Sequence, residues 1–381
     1  MKADAVIIGA GISGASIAWH LAKKGMKNIK VVDASYLTSG ATGRCGAGVR
    51  TQWGTKTNCL LAKKSMEFFE KAGDLLDYKE DIEFKQAGYL ILATTKEEEA
   101  IFDKNVKVQQ AIGIPSKRLT VQEALHIVPH LNPESFLSAS FCEKDGHLNP
   151  FRMTDAFYQA AKRLGVEFFF YEPVTDIKMS DAAIEAVITD RRIIETDVVI
   201  DAAGGHAKEV AAMAGIDVPV FSEKHEILAT EPTHPMQDPM IMSFSKNIYC
   251  QQVPHGSFLM GRSNPHAKHN HDVTSSWQFL EKMAKTACDI LPNVGKLRVV
   301  RQWAGLYNNS PDRQPIISSI DELPGFYVAC GFSGHGFMFS PITGDLISDL
   351  ILGRDPVVNE EALSIKRFDE TNDGDYETSV V

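Results

Sequence analysis

A glycine-rich hexapeptide near the start of the chain has the residue types and the spacing to bind a dinucleotide. The hexapeptide is Gly9-Ala10-Gly11-Ile12-Ser13-Gly14, and it directly follows the apolar run from Ala5 to Ile8. In this pattern the first glycine permits a sharp turn, the second lets the backbone approach a pyrophosphate, and the third lets a helix pack closely on the preceding strand. The helix that begins here would direct its free N–H groups at the phosphates.

An acidic residue at the end of the next apolar run supports the same interpretation. Asp33 follows the run from Ile29 to Val32, near the spacing of about 20 residues expected of a carboxylate that binds a ribose, and we expect Ala34 to contact the same ligand. The bare glycine pattern also occurs in ordinary helix packing. Because strand, turn, helix and acid agree here, the sequence predicts a bound dinucleotide, and this unit alone leaves both NAD and FAD open.

A loop rich in small residues, 38–50, follows this unit and shows neither a helical nor a strand period. Such a loop suits a backbone that lies against a flat ligand. A flexible linker is the alternative, and it is disfavoured because Arg44, Cys45 and Arg50 interrupt the small residues with side chains of specific chemistry. A later apolar run ends in Gly204-Gly205, which is typical of the carboxyl end of a strand beside a ligand.

Composition and charge disfavour several classes of protein. The net charge of −10 argues against a nucleic-acid surface and against an anionic membrane surface. The 6 cysteines show no metal-like spacing, so we expect free thiols, no metal site and no iron–sulfur ligands. No apolar window is long enough for a spanning helix, and the first strand leaves no room for a signal peptide. We therefore expect a cytoplasmic protein, with peripheral attachment to the inner membrane left open through a partner.

The order of elements predicts two domains that the chain enters more than once, as its length of 381 residues also favours. Segments with helices between apolar strands predict a doubly wound α/β domain, and segments of alternating, half-buried strands predict an α+β domain with an antiparallel sheet. The first domain is expected from residues 1–80, 147–220 and 308–381, and the second from 81–146 and 221–307.

Local patterns predict individual elements within these domains. Apolar periodicity predicts a helix over 57–73, strands over 82–95 and a helix over 340–352. The acidic tail from Asp369 is expected to be a solvated terminus.

A second glycine-rich motif lies near the end of the chain, between a predicted strand and a predicted helix. It is Gly331-Phe332-Ser333-Gly334-His335-Gly336-Phe337. With the hexapeptide and the 38–50 loop, this motif closely resembles the D-amino-acid-oxidase-like superfamily of flavoproteins. Within it the chain is similar to the sarcosine oxidase branch, in particular to the β subunits of dye-linked L-proline dehydrogenases, and the resemblance covers nearly the whole chain.

The resemblance implies FAD rather than NAD, with a Rossmann-like doubly wound domain for FAD and an antiparallel sheet that roofs the flavin. It also implies oxidation of a small amino or imino acid by hydride transfer from the α-carbon to flavin N5. The flavin performs the redox chemistry, so the protein has to hold the ring, orient the substrate and exclude water. Because related β subunits work in hetero-oligomers, we expect a partner subunit, a quinone or a carrier protein as electron acceptor.

The resemblance also implies roles for single residues. Arg50 is the first candidate for the substrate carboxylate, since a guanidinium binds a carboxylate bidentately; a structural ion pair is the alternative. Tyr249 and Tyr307 are candidates to line the pocket, with ordinary half-buried packing as the alternative. Trp303 and His225 are weaker candidates, for which packing is favoured.

His335 lies between two glycines, where a general base and a residue whose backbone lies against the flavin are both open. The resemblance favours the backbone role, and hydride transfer from a neutral amine needs no strong protein base. The other residues expected to contact FAD, besides the hexapeptide, Asp33 and Ala34, are Thr42, Gly43, Arg44, Cys45, Gly46, Gly48, Val174, Ala203, Gly204, Gly305, Gly331, Gly334, Gly336, Phe337 and Met338.

Three positions depart from the oxidases of this branch. The lysine that these oxidases hold above the flavin aligns with Leu259, and their lysine after the HGF sequence aligns with Met338. Loss of the first cation favours a dehydrogenase, and loss of the second leaves Arg50 in need of a helper, for which Arg262 is a candidate. Gly305 replaces the cysteine that binds flavin covalently in the monomeric oxidases, so we expect noncovalent FAD.

The sequence thus favours an FAD-dependent dehydrogenase of a small imino or amino acid, with L-proline first. An oxidase of sarcosine, another N-alkyl amino acid or a D-amino acid is the second hypothesis. The third is a non-catalytic flavin-binding subunit serving assembly or tRNA modification, which the arginine at position 50 disfavours. An NAD-dependent dehydrogenase is the last.

Overall fold

Two large sheets organise the chain, and each combines strands that are far apart in sequence. The computed structural model describes residues 1–180, 183–358, 361–368, 376, 377 and 379. In chain order, the described strands β1 to β19 are Ala5–Ile8, Ile29–Val32, Gly48–Val49, Tyr89–Ala93, Lys117–Leu119, Ser138–Cys142, Gly146–His147, Glu167–Phe169, Val174–Ser180, Ala183–Thr189, Ile193–Glu195, Val199–Asp201, Phe221–Thr230, Met240–Ser243, Ile248–Gln252, Phe258–Ser263, Val299–Asn309, Ile316–Ser319 and Phe326–Cys330. The described helices α1 to α9 are Ile12–Lys23, Lys56–Phe69, Ala72–Leu75, Lys96–Ala111, Val121–Ile127, Pro150–Arg163, Ala207–Met213, Trp277–Ile290 and Gly336–Leu352. Short 3₁₀ turns span Ala41–Arg44, Pro133–Ser135, Gly204–His206, Pro292–Lys296 and Ile365–Phe368.

The first sheet has six strands in the order β18-β19-β12-β1-β2-β8. Its neighbours are parallel except for β18, which runs antiparallel to β19. Successive side chains of a strand point to opposite faces, so Ala5 and Ile7 pack with α1 and α9, while Val6 and Ile8 pack against the three-stranded sheet β11-β10-β9. Because β1 and β12 are parallel, their carboxyl ends meet at one edge, where the hexapeptide begins.

The second sheet has eight strands in the order β17-β13-β16-β15-β14-β4-β6-β5, which are antiparallel except for the pair β14 and β4. One face packs on α8, where Phe279 contacts the cluster that includes Cys250 and Met260. The strand register places alternate residues on the opposite face, which we call the inner face. Its residues that matter below are His225, Tyr249, Leu259, Trp303 and Tyr307.

In the range 82–95, where strands were predicted, the structure has the single short strand β4. Glu83 and Gly88 have positive φ angles of 55° and 95°, and a residue in that region interrupts an extended chain. The helix predicted over 57–73 likewise ends at Phe69, and α3 follows as a separate turn.

The helix predicted over 340–352 begins earlier, at Gly336, and passes through Pro341. A proline inside a helix removes the N–H that would bond the carbonyl four residues back. That carbonyl belongs to Phe337, and Ser340 donates its hydroxyl to it at 2.8 Å, so the helix continues. The N-terminus of α9 therefore lies inside the second glycine-rich motif. No helix in the described part of the chain, α9 included, is long and apolar enough to cross a membrane.

The prediction of a solvated C-terminus is wrong for Glu377 and Ser379, whereas Tyr376 is 53% exposed. Residues 369–375 lie outside the described residues, whereas Glu377 is 0% exposed and Ser379 is 4% exposed. The buried carboxylate accepts hydrogen bonds from residues 54–58. These partners are 319 to 323 positions away in the chain, so no local pattern in the sequence signals the contact.

Candidate active site

The hexapeptide forms the turn between β1 and α1, and two of its glycines leave no room for a side chain. A Cβ on Gly14 would lie 1.9 Å from the carbonyl oxygen of Gly9, and a Cβ on Gly9, whose φ is 107°, would lie 2.4 Å from the carbonyl oxygen of Ala202. Helix α1 therefore packs directly on the turn, and the turn packs directly on the end of β12. This close packing of three backbones requires glycine at both positions.

The start of α1 is open to an anionic ligand. No side chain caps the helix at Gly11, so early N–H groups are left for a ligand, and the helix dipole adds partial positive charge there. Thr42 Oγ1 accepts the Ile12 N–H at 3.1 Å, and Asp33 Oδ2 accepts the Ala10 N–H at 2.7 Å. The tight turn, the uncapped helix and the neighbouring carboxylate fit the pyrophosphate and ribose of a dinucleotide.

The 38–50 loop runs from this turn to the inner face of the second sheet. Arg44 donates Nη1 to the Ala304 carbonyl at 2.9 Å, and the Trp303 indole donates to the Arg44 carbonyl at 3.0 Å. Further along the loop, Gln251 donates its amide to the Gly46 carbonyl at 2.7 Å. These bonds fix the loop backbone to both β15 and β17, as expected of a segment that lies along a flat cofactor.

Cys45, in the same loop, carries a protonated thiol. Burial raises its pKa to about 12, and Sγ donates to the Thr42 carbonyl at 3.1 Å. The thiolate is the reactive form of a cysteine, so Cys45 is held in its unreactive form. Gly305 lies on β17 opposite His225, and noncovalent binding of FAD stays a prediction.

Three rings lie nearly parallel on the inner face. The His225 ring lies 4.1 Å from the Tyr307 ring and 5.6 Å from the Tyr249 ring, between centroids, with interplanar angles of 7° in both pairs. The register explains this arrangement, because His225 pairs with Gly305 on one side and with Ser263 on the other. His225, a weaker candidate in the sequence, thus joins the two tyrosines, and the alternation along β13 was the signal that could have found it.

His225 is uncharged at neutral pH because burial lowers its pKa to about 3. Its Nδ1 lies 3.2 Å from the Ser263 hydroxyl, while its Nε2 is buried and has no partner among the described residues. An unpaired buried ring nitrogen marks a place for a ligand atom or a water. His225 therefore offers a neutral polar contact between the two tyrosines.

The Gly331–Phe337 motif approaches the same rings from the first sheet. Gly334 has a φ of 92°, and a Cβ there would lie 2.6 Å from Cε2 of Tyr307. The backbone of the motif therefore touches the tyrosine ring directly, which a side chain at this position would prevent. Ser333 donates its N–H to the Asn308 carbonyl at 2.8 Å, so the turn is anchored to the end of β17.

His335 precedes α9 and is buried with a lowered pKa. Burial, together with the charge of Arg50, lowers its pKa to about 3. Its Nε2–H donates to the Arg313 carbonyl at 3.0 Å, and its ring centroid lies 4.5 Å from that of Trp53. A neutral imidazole whose Nε2 is bonded to the backbone keeps only Nδ1 as an acceptor. This geometry favours a structural role over that of a general base.

Arg50 is buried beside a cavity of about 40 Å³. Its Nη1 donates to the Gln52 carbonyl at 2.5 Å and its Nη2 donates to the Ser379 carbonyl, while Nε has no partner in the described part of the chain. The Trp53 ring centroid lies 3.6 Å from the guanidinium carbon. A charged side chain that lines a cavity and keeps one N–H unpaired favours an anionic group there. The residues around the cavity include Arg50, Trp53, Tyr249, Tyr307, His335 and Met338.

A buried carboxylate that the sequence did not reveal as a site residue supports the backbone after Arg50. Asp145 accepts hydrogen bonds from the Thr51 N–H at 2.7 Å, from the Thr51 hydroxyl at 2.6 Å and from the Gln52 amide at 3.0 Å. Burial raises the pKa of Asp145 to about 6. In the sequence Asp145 is visible only as part of a turn, because its partners lie 93 and 94 positions away.

The remaining predicted residues lie close to these elements or away from them. Ala203 and Gly204 follow β12, directly after the residue that touches Gly9, and Val174 begins β9 and is half-buried. Arg262 donates to Thr286 of α8, on the face of the sheet opposite Tyr249, so its suggested role as a helper of Arg50 is wrong. The other predicted residues lie in elements already described. They are Ser13 in the hexapeptide, Ala34 after β2, Gly43 and Gly48 in the 38–50 loop, and Gly331, Gly336 and Phe337 in the Gly331–Phe337 motif.

Three side chains outside this site carry donor atoms that a metal ion could use. Ligand atoms of His206, Glu209 and His271 lie within 4.8 Å of one another, and all three residues are exposed. Imidazole and carboxylate donors of this kind suit zinc. His271 Nε2 lies 2.9 Å from the Gly205 carbonyl, however, so this nitrogen has a partner without a metal.

Because several histidines are buried, we predict that acid lowers the free energy of unfolding. Burial lowers the pKa of His20 and His147 to about 4 and that of His225 and His335 to about 3. Between pH 6.5 and these values the unfolded chain binds protons that the folded chain does not, so each histidine removes up to about 1.4 kcal/mol of stability per pH unit as the pH falls. Asp145 and Asp201, whose pKa values burial raises, oppose this trend, but the four histidines outnumber them. We expect the melting temperature to fall between pH 7 and pH 5, as measured by differential scanning fluorimetry.

Two variants identify the groups responsible for this pH dependence. His225→Gln removes one buried imidazole and is expected to reduce the loss of melting temperature between pH 7 and pH 5. His126→Gln, at an exposed histidine, is the matched control and leaves the loss unchanged. Equal melting temperatures at both pH values in the unaltered protein would contradict the prediction.

Comparison with known proteins agrees with the fold and with the dinucleotide site. The model of the FAD dependent oxidoreductase family (DAO) matches residues 4–350. The crystal structure of L-proline dehydrogenase from P. horikoshii is 34% identical and superposes with a TM-score of 0.91, covering 97% of this chain and 98% of that chain. The chain therefore belongs to the family of FAD-dependent oxidoreductases, and the dinucleotide predicted for the hexapeptide is FAD.

More distant relatives share the same architecture. The crystal structure of glycine oxidase from Geobacillus kaustophilus has a TM-score of 0.88 at 23% identity, covering 96% of this chain and 99% of that chain. Sarcosine oxidase subunit beta of Rhodobacter capsulatus is 25% identical over 373 residues, covering 96% of this chain and 89% of the relative. The predicted fold class, a Rossmann-like FAD domain combined with a largely antiparallel second sheet, is confirmed.

Proposed function

We propose that this protein is an FAD-dependent dehydrogenase of a small amino or imino acid, with L-proline as the first candidate. The observation that carries the proposal is the buried side chain of Arg50. It lines a small cavity together with Tyr249 and Tyr307, and its Nε has no partner among the described residues. The 34% identity with L-proline dehydrogenase from P. horikoshii supports the choice of substrate.

Each part of the cavity suits one part of such a substrate. The guanidinium of Arg50 would bind the carboxylate through Nε and a remaining terminal N–H. The faces of Tyr249 and Tyr307, which line the cavity, would contact the aliphatic ring. When bound, FAD supplies the hydride acceptor. Because His225 and His335 have strongly lowered pKa values, neither adds a positive charge beside the substrate amine.

An anaerobic flavin-reduction screen tests the proposed substrate. We expect L-proline to bleach the flavin absorbance of the purified holoprotein faster than D-proline, hydroxyproline, sarcosine or the common amino acids. Faster reduction by sarcosine or by a D-amino acid would replace L-proline with the substrate of the oxidase alternative. Reduction by none of them would contradict the proposal and favour a non-catalytic flavin-binding subunit.

The dehydrogenase assignment predicts slow reaction with oxygen and a way to accelerate it. Leu259 is half-buried among the inner-face residues around Tyr249 and Trp303, at the position where the resembling oxidases hold a lysine. A cation there would stabilise negative charge that develops on reduced oxygen, so we expect Leu259→Lys to raise the rate of reoxidation by oxygen about tenfold to a hundredfold. Stopped-flow mixing of the reduced protein with dissolved oxygen measures this rate.

A second lysine variant controls for added surface charge. Leu137 is exposed and lies on no part of the inner face, so Leu137→Lys is expected to leave the reoxidation rate unchanged. Rapid peroxide formation by the unaltered protein with L-proline would overturn the dehydrogenase assignment.

We further propose that electrons leave the flavin for an external acceptor. Of the residues that the structure describes, no cysteine belongs to a group of metal ligands, and the relatives from Rhodobacter capsulatus and Arthrobacter are named as subunits beta of sarcosine oxidase. A partner subunit in a hetero-oligomer, a quinone or a carrier protein would serve, and a cytoplasmic location stays a prediction.

A further inference from the structure

The buried carboxylate of Glu377 lies at the N-terminus of α2, a few residues after Arg50. It accepts hydrogen bonds from the Gly54 N–H at 3.3 Å, from the Thr55 N–H at 3.2 Å and from the Asn58 side-chain amide at 3.0 Å. Thr55 is the N-cap of α2, so the carboxylate lies at the positive end of the helix dipole. A residue from the far end of the chain is thus built into the start of this helix.

Glu377 keeps its charge although it is fully buried. Burial alone would raise its pKa, but hydrogen bonds from the Ser379 N–H at 2.8 Å and from Asn58, together with the charge of Arg50, outweigh burial and hold the pKa below its ordinary value. A buried carboxylate without such partners is strongly unfavourable. Glu377 and Arg50 therefore stabilise each other electrostatically.

Ser379, two residues after Glu377, bonds the guanidinium itself. Nη2 of Arg50 donates to the Ser379 carbonyl, Nη1 donates to the Gln52 carbonyl, and Trp53 covers one face of the group. A planar guanidinium bonded at both terminal nitrogens and stacked on a ring has a fixed orientation. Its Nε–H is the donor left without a partner in the described part of the chain.

We propose that Glu377 is a positioning residue for substrate recognition. Its bonds to the start of α2 and to the Ser379 N–H hold Ser379 beside Arg50, so that the Ser379 carbonyl orients the Arg50 guanidinium for the substrate carboxylate. Glu377 acts through Arg50, since it is not among the residues found around the cavity. This inference rests on the proposed function, because it requires a substrate that carries a carboxylate.

The variant Glu377→Gln tests this role, because it removes the charge and keeps the shape of the side chain. The readout is the dissociation constant of pyrrole-2-carboxylate, a ring carboxylate with no hydride to transfer from its α-carbon, followed by the change in flavin absorbance. We expect this constant, and KM for L-proline, to rise about tenfold, while kcat changes less than about twofold. Glu322→Gln, at an exposed glutamate, is the matched control and changes neither.

An analogue without the carboxylate separates positioning from general loosening of the site. L-prolinamide lacks the carboxylate, so its binding is expected to be the same in Glu377→Gln and in the unaltered protein. Equal weakening for L-prolinamide and pyrrole-2-carboxylate would overturn the inference, as would unchanged affinity for both. Where the glutamine variant does not fold, Glu377→Asp retains the charge and serves the same comparison, with a smaller rise expected and an unchanged affinity contradicting the inference.

The outcomes also distinguish this inference from the proposed function. If the unaltered protein neither binds pyrrole-2-carboxylate nor is reduced by L-proline, both fail. If L-proline reduces the flavin and the Glu377 variants bind the carboxylate as tightly as the unaltered protein, only the positioning role fails.

Discussion

Arg50→Ala is expected to lower kcat/KM for L-proline by about 10²- to 10³-fold while FAD stays bound. The variant removes the guanidinium that lines the cavity and leaves Glu377 buried without its counter-charge. Loss of one partner of a buried, hydrogen-bonded charge pair costs about 2–5 kcal/mol, and about 1.4 kcal/mol corresponds to a factor of ten. Steady-state dye reduction gives kcat/KM, and the flavin absorbance of the purified variant reports its FAD content.

Three comparisons show whether the loss concerns the carboxylate. Arg50→Lys keeps the charge but not the fork of donors, so we expect a loss that is smaller than that of Arg50→Ala. Turnover of L-prolinamide, which has no carboxylate, should fall far less than turnover of L-proline in both variants. Arg298→Ala, at an exposed arginine, is expected to behave as the unaltered protein. A loss of similar size for L-proline and L-prolinamide would mean that Arg50 supports the fold rather than the substrate.

The parts of the site that the sequence predicted are those whose signals are local. The hexapeptide and the Gly331–Phe337 motif each join a strand to a helix through a turn of consecutive residues, and Asp33 directly follows a strand. The periodicity of these elements is visible without knowledge of the rest of the chain. A dinucleotide and the fold class could therefore be predicted from these signals, while the choice of FAD over NAD came from the resemblance to a family of flavoproteins; FAD and the fold class are both confirmed. The start of α9 was predicted too late, because a proline at position 341 usually indicates the first turn of a helix. In the structure the Ser340 hydroxyl donates to the Phe337 carbonyl, which the missing N–H of Pro341 would leave unpaired.

The parts that the sequence did not reveal depend on contacts between distant segments. His225 lies between Tyr249 and Tyr307 because β13 is inserted between β17 and β16, and strand order is not written in any single strand. Asp145 and Glu377 reach the residues after Arg50 from 93 to 323 positions away. An acidic tail is expected to be solvated, because its sequence does not show that Glu377 binds a helix N-terminus and lies near a buried arginine.

Gly14→Ala is expected to release most of the FAD and to lower the melting temperature by about 1–4 °C. The added methyl group would lie 1.9 Å from the Gly9 carbonyl oxygen and 3.4 Å from Cγ2 of Ile7, and a backbone carbonyl cannot rotate away as a side chain could. Either α1 or the turn has to move, and both are needed at the pyrophosphate. Overpacking of this kind costs about 1–3 kcal/mol, which corresponds to a few degrees for a chain of this size.

A second glycine in a helix separates this steric effect from helix propensity. Propensity alone predicts that alanine stabilises a helix by about 1 kcal/mol relative to glycine, so the expected sign for Gly14→Ala is the reverse of the intrinsic one. Gly73 lies in α3, where a Cβ would meet only the Tyr78 carbonyl oxygen, at 3.9 Å, and Gly73→Ala is expected to be neutral or slightly stabilising with full FAD content. FAD content is measured by absorbance after gel filtration, and stability by thermal unfolding. If Gly14→Ala kept its FAD and its melting temperature, as Gly73→Ala is expected to, the turn would accommodate the added methyl group and the prediction would be wrong.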